Sequence, residues 1–231
     1  MQALQGELLL AAWERCQNRP SPVIALGLLE SAHRGTDRTA FAQLPLTRIH
    51  AMLLQLRAVT FGRRMQGFAE CPNCHSSLEF ETDVVGMAEE LRRSASQENS
   101  LAESTIFRPV NLDDLQACLD AESPGEASNM LLQRTLLDAS STDHKKEESL
   151  LLFDGLNEAS EIWIDMHCPQ CGQDSAFDLD ITQFLWREVR AAATRLLADV
   201  HLLASRYGWS EESILSMSHQ RRFAYLEMLT Q

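Results

Sequence analysis

Two short cysteine motifs carry the chemistry of this sequence. Cys71-Pro-Asn-Cys74 and Cys168-Pro-Gln-Cys171 share the spacing C-P-x-C, and runs of alternating apolar residues flank each pair. Thiolates two residues apart can grip an ion from a single turn. Two such pairs fill the tetrahedral shell that Zn²⁺ adopts in structural sites. The spacing therefore predicts one Zn²⁺ held by Cys71, Cys74, Cys168 and Cys171, with a small ribbon around it. Gly172 follows the last cysteine, where the turn calls for a left-handed backbone, and His75 stands in the matching place of the first pair. His75 and His167 are the alternative ligands by proximity in sequence, but four thiolates already complete a tetrahedron.

Rival chemistries fit less well. A redox C-x-x-C sits at a helix N-terminus, where the helix lowers the thiol pKa. Both pairs here lie between strand-like runs instead. The sequence holds no H-E-x-x-H, Walker loop, dinucleotide-binding glycine turn or G-x-S-x-G elbow. A Cys₄ ion is coordinatively closed and has no position for an activated water. The expectation is a protein that is not an enzyme. A metal-dependent hydrolase would require an open site, which this ligand set does not suggest. Cys118 shares a helical face with Leu115 and Leu119 and reads as a small core residue.

Charge narrows the partners. The 231 residues carry a net charge of −13, split into +3 over residues 1–70, −12 over 71–160 and −4 over 161–231. Such a balance disfavours general binding to a phosphate backbone. A nucleic-acid-binding or transcription-accessory ribbon, the alternative from another class, would need a basic strand face. The runs beside the cysteines instead hold Glu79, Glu81, Asp165, Asp178 and Asp180. No run of about 18 apolar residues suggests membrane insertion. The first residues lack the basic and apolar regions of a signal peptide, so the expected site of synthesis is the reducing cytoplasm, where paired cysteines favour metal over disulfide.

The elements around the motifs read as mostly helical α+β. Leu4, Leu8, Leu9, Ala12 and Trp13 predict a helix over 2–16, which Asn18-Arg-Pro-Ser-Pro22 breaks before a short apolar stretch, Val23–Leu29. A second helix follows Thr47 as its cap, with Ile49, Met52, Leu53, Leu56 and Val59 as its buried stripe. Arg48, Arg57, Arg63 and Arg64 sit away from that stripe, as a solvated face or, in the alternative reading, a partner-binding patch. Alternation around both cysteine pairs predicts two β-hairpins. Between them lie a short helix at Met87–Arg93, a polar linker at 94–104, a helix capped by Asn111 and Asp114, and further helices near Met130 and over 149–156. From Thr182 to Tyr207, Leu185, Val189, Ala193, Leu196, Val200, Leu203 and Tyr207 step by three or four, and Gly208 ends this long helix before two shorter ones. The expected organisation is an N-terminal helical segment (1–66), a zinc ribbon (67–83 with 161–181), a helical acidic insertion (84–160) and a C-terminal helical segment (182–231).

Several stretches together resemble one family. They are Leu44-Pro-Leu-Thr-Arg48, Leu53-Leu-Gln-Leu-Arg57, Phe61-Gly62, the first C-P-x-C and Phe107-Arg-Pro-Val-Asn-Leu-Asp-Asp114. The second C-P-x-C-G follows, with Phe177-Asp-Leu-Asp180, Phe184-Leu-Trp-Arg-Glu188, Leu203-Ala-Ser-Arg-Tyr-Gly-Trp-Ser-Glu211, Ile214-Leu215, Arg221-Arg222 and Tyr225-Leu226. From about residue 44 onward the chain resembles the zinc-ribbon proteins of contractile phage tails and extracellular injection systems, baseplate proteins of the T-even phage type. The resemblance implies a structural or assembly role in a baseplate, through contacts with other baseplate or tail-assembly subunits, and incorporation in the particle where a member stays in it. Phe184, Trp186, Tyr207, Trp209, Arg221, Arg222 and Tyr225 are the candidate contact residues, since aromatic side chains and Arg dominate interface energies.

Overall fold

In the computed structural model, which describes residues 1–33, 35, 38–102, 106–137 and 146–229, the chain is mostly helical with two small antiparallel hairpins. Helices α1 (Gly6–Cys16), α2 (Ser21–Ala32), α3 (Arg38–Ala42) and α4 (Leu46–Phe61) lead into β1 (Arg64–Glu70) and β2 (Ser77–Asp83). Helices α5 (Val84–Ala102), α6 (Leu112–Ala117), α7 (Pro124–Thr135) and α8 (Lys146–Asn157) separate these strands from β3 (Trp163–His167) and β4 (Asp174–Asp178). Helices α9 (Ile181–Tyr207), α10 (Glu211–Leu215) and α11 (His219–Leu229) complete the described chain.

One apolar core unites the ends of the sequence. Leu9 and Leu10 of α1, Leu26 and Leu29 of α2, Leu53 and Leu56 of α4, and Leu185, Val189 and Leu203 of α9 belong to a single buried cluster. The N-terminal and C-terminal helical segments are thus one packed body. Helix α2 lies at its centre and is apolar almost all round, the pattern of a helix without a solvent face. Pro22 does not keep helix away, because it occupies the first turn, where a missing N–H leaves no bond unmade. Helix α9 follows its expected stripe up to its last position: Leu185, Val189, Ala193, Leu196, Val200 and Leu203 are buried, whereas Tyr207 at the C-terminal end is 37% exposed. Its 27 residues span about 40 Å. The Asp180 side chain caps one end by accepting from Gln183 N, and Gly208 turns left-handed at the other, at φ 68°.

Four local expectations are corrected. The polar stretch after Arg93 is not a linker from its start, since α5 runs on to Ala102, held against α4 by Val84, Ala88, Leu91 and Ala95. Thr47 does not cap α4: Pro45 precedes the helix, and Thr47 is buried facing the Glu98 carboxylate without a hydrogen bond of ordinary geometry. Val59 is half exposed rather than part of the buried stripe. Arg57 is the largest departure, being buried at 5% exposure instead of solvated.

The Arg57 guanidinium ties three elements together. It donates to both Glu188 carboxylate oxygens on α9, at 3.1 and 2.8 Å, and to the Gly62 and Arg64 carbonyls at the entrance to β1. Further along, Asn111 and Asp114 form the expected capping box on α6. The Asp114 carboxylate, with no exposed side-chain surface, also accepts from Arg108 at 2.6 and 2.9 Å and from Arg134 at 3.0 Å. The second hairpin is moored by His50 on α4, whose Nδ1 lies 2.7 Å from the Ser160 carbonyl oxygen. A carbonyl only accepts, so Nδ1 carries the proton. Burial, above all, pushes the pKa of His50 down.

Candidate metal centre

Each hairpin ends in a cysteine turn, and the two turns are copies. In the first, Cys71 N–H donates to Ser76 O at 2.9 Å and His75 N–H to Cys71 O at 2.9 Å. In the second, Cys168 N–H donates to Gln173 O at 2.8 Å and Gly172 N–H to Cys168 O at 2.9 Å. The backbone amides of Asn73 and Cys74 point at the Cys71 sulfur, and those of Gln170 and Cys171 at the Cys168 sulfur. His75 at φ 59° and Gly172 at φ 73° both adopt the left-handed turn that the spacing predicts. Amides aimed at sulfur favour the thiolate, the form that binds metal.

The turns meet although 94 and 100 residues separate their members. Cys71 Sγ lies 3.6 Å from Cys171 Sγ, and Cys74 Sγ lies 3.6 Å from Cys168 Sγ. All four sulfurs sit within 4.8 Å of one another. A metal bonded to four thiolates at about 2.3 Å spans sulfur–sulfur edges of about 3.8 Å, so the donor set fits a tetrahedral ion in both chemistry and size. Cys71 and Cys168 are buried, with Leu78, Met166 and Phe177 around them, while Cys74 and Cys171 face solvent.

The histidines stand apart from this set. His75 Nδ1 pairs with Glu70 at 2.6 Å and His167 Nδ1 with Asp174 at 2.8 Å, both at the exposed rim. Ser76 is the neighbour that sequence reasoning did not single out. Its hydroxyl lies 3.1 Å from Cys74 Sγ and 3.3 Å from Cys168 Sγ, bridging the two turns. That hydroxyl is the main influence lowering the pKa of both sulfurs. Cys71 moves the other way: desolvation and the neighbouring Cys168 and Cys171 thiols outweigh the amides of Cys74 and Asn73. Four sulfurs in so small a volume titrate together rather than one by one. Only Ser76's position two residues after Cys74 hinted at it, and the second turn has Gln173 in the matching place.

The candidate contact residues divide. Trp186 and Arg222 are buried within the chain, at 6% and 7% exposure, and are not available at its surface. Phe184 is half-buried beneath Arg187, whose guanidinium lies 5.7 Å from the ring centroid. Tyr207 stacks on Trp209 at 4.5 Å, Tyr225 meets both rings edge-on, and Arg221 lies over Tyr225 at 5.9 Å. That cluster locks α10 and α11 onto the end of α9 and leaves Tyr207 partly exposed. Arg222 lines a cavity of about 1110 Å³ between α1, α9 and α11, where it donates to the Met217 carbonyl. No described helix is long and apolar enough to cross a membrane. The chain matches no family model, no curated protein and no solved structure.

Proposed function

We propose that this chain is a non-catalytic structural or assembly protein in which Zn²⁺ bound by Cys71, Cys74, Cys168 and Cys171 clamps two hairpins against a helical body. The convergence of four sulfurs, from two turns of identical geometry, carries this reading. Zn²⁺ suits a tetrahedral all-sulfur site, and four thiolates leave no position for a reacting water. The acidic strands, with Glu79, Asp165 and Asp178 exposed, support protein partners over nucleic acid. The resemblance of residues 44 onward to T-even-type baseplate proteins supports a setting in a contractile tail or injection system, with other baseplate or tail-assembly subunits as partners.

Metal analysis of the purified chain tests the clamp. One Zn²⁺ per chain is expected, together with the intense visible bands of a tetrahedral thiolate site after exchange to Co²⁺. Cys71→Ser or Cys168→Ser lowers the melting temperature sharply, because metal binding is coupled to folding. Unchanged melting in both variants would sink the clamp. Mild crosslinking in the native host tests the setting. Recovery of tail or baseplate subunits supports it, whereas recovery of RNA polymerase or nucleic acid moves the ribbon to the transcription class.

A further inference from the structure

Strand β1 has one edge in use and one edge free. The bonds Cys71 N–H to Ser76 O and Val84 N–H to Arg63 O mark the hydrogen-bonded pairs of the first hairpin. Alternation then assigns Met65, Gly67 and Ala69 to bonds with β2, while Gln66, Phe68 and Glu70 direct their N–H and C=O groups outward. Arg64 also faces outward, and its carbonyl is taken by Arg57. From Gln66 onward no described strand pairs with that edge, and no backbone hydrogen bond outside the hairpin reaches it. Folded proteins guard such edges with Pro, Lys or a bulge. β1 has neither residue, its register is unbroken, and Phe68 is 72% exposed on it.

The free edge borders a groove of about 580 Å³ between the hairpins. Gln66–Glu70 line one side, while Phe177–Asp180 and the first turns of α9 line the other. Its charged residues are Glu70, Asp178, Asp180 and Glu188 against a single Arg187. Glu188 is paired with Arg57 and Glu70 lies beside His75, which leaves Asp178 and Asp180, both exposed and without an ion pair among the described residues, to outweigh Arg187 and set the sign of the rim. We propose that this groove docks an extended, basic segment of a partner protein, which adds as a strand to the Gln66–Glu70 edge and meets the acidic rim with its Lys or Arg side chains. The inference rests on the clamp reading, because the four cysteines join the two walls and so fix the width of the groove.

The test uses the full metal-loaded chain and a fluorescent ten-residue peptide alternating Val and Lys, with the Val–Glu peptide as control. The Val–Lys peptide binds saturably and slows hydrogen exchange at the Gln66, Phe68 and Glu70 amides. The Val–Glu peptide binds at least about tenfold more weakly, the effect of losing one or two favourable charge pairs. Phe68→Pro removes an outward N–H without touching the β2 ladder and abolishes binding at unchanged metal content. Phe68→Ala keeps that N–H and retains the exchange protection, and Asp178→Lys weakens binding while leaving the fold intact. Equal binding of both peptides, protection absent from the β1 edge, or β1 protected by dimerisation of the chain itself would overturn the proposal. A chain that holds one metal ion yet fails these tests refutes the docking alone, whereas a chain that holds none refutes the clamp.

Discussion

Replacing Arg57 by Met keeps an apolar stem of similar length and deletes the guanidinium. The Glu188 carboxylate and the Gly62 and Arg64 carbonyls then lose their donor together. Removing one partner of a buried ion pair costs about 3–5 kcal/mol. The Arg57 side chain is 6% exposed and Glu188 26%, so water shares part of the orphaned charge and the lower end of that range applies. At about 2–4 °C per kcal/mol for a chain of this size, a loss of about 3 kcal/mol lowers the melting point by about 6–12 °C. Denaturant titration with metal in excess isolates the helical body from the clamp. Hydrogen exchange at Met65 and Gly67 reports a second effect, because Arg57 holds the first turn of β1. In the double variant Arg57→Met/Glu188→Met the cost falls well below the sum of the single losses. A single-variant loss under about 1 kcal/mol would refute the reasoning, because it would class the pair with surface ion pairs.

Two further outcomes follow from the same geometry. Burial alone would raise the pKa of Asp114, but Arg108, Arg134 and the Asn111 amide hold it below the usual carboxylate range. A depressed folded pKa contributes stability above the unfolded value of about 3.9 and loses it as pH falls through the folded value. Asp114→Asn is therefore less stable at pH 7, by about 1.5–3 kcal/mol, and urea titrations show the difference from wild type shrinking in acid. At Gly67, an added Cβ would lie 2.4 Å from the Phe80 ring, which crosses over this glycine from β2. Gly67→Ala displaces that ring and lowers stability by about 1–3 kcal/mol in thermal melts, and adding Phe80→Leu recovers part of the loss.

The cysteine turns were legible because their chemistry is local. Spacing, the proline between the cysteines and the left-handed residue that follows all lie within five consecutive positions. The structure repeats that turn in both places, with His75 filling the role of Gly172. The stripe of α9 and the capping box at Asn111 were legible for the same reason, since periods of three and four are properties of one segment. What sequence could not show depends on partners far along the chain. Arg57 looked like a surface residue because Glu188, 131 positions away, is what permits its burial. Arg222 and Trp186 looked like contact residues, but their own fold buries them. Helix α5 outran its apolar pattern because packing against α4 sustains it where intrinsic preference is weak.

These long-range pairings also explain how the site is built. Arg57 sets the start of β1 and His50 anchors the segment before β3, and both lie on α4. One helix therefore aims both hairpins. Cys74 and Cys171, the second cysteine of each pair, are exposed, so the four-sulfur set, held within 4.8 Å, lies at the solvent rim. The helical body thus positions the two hairpins, and the four cysteines meet where their tips come together.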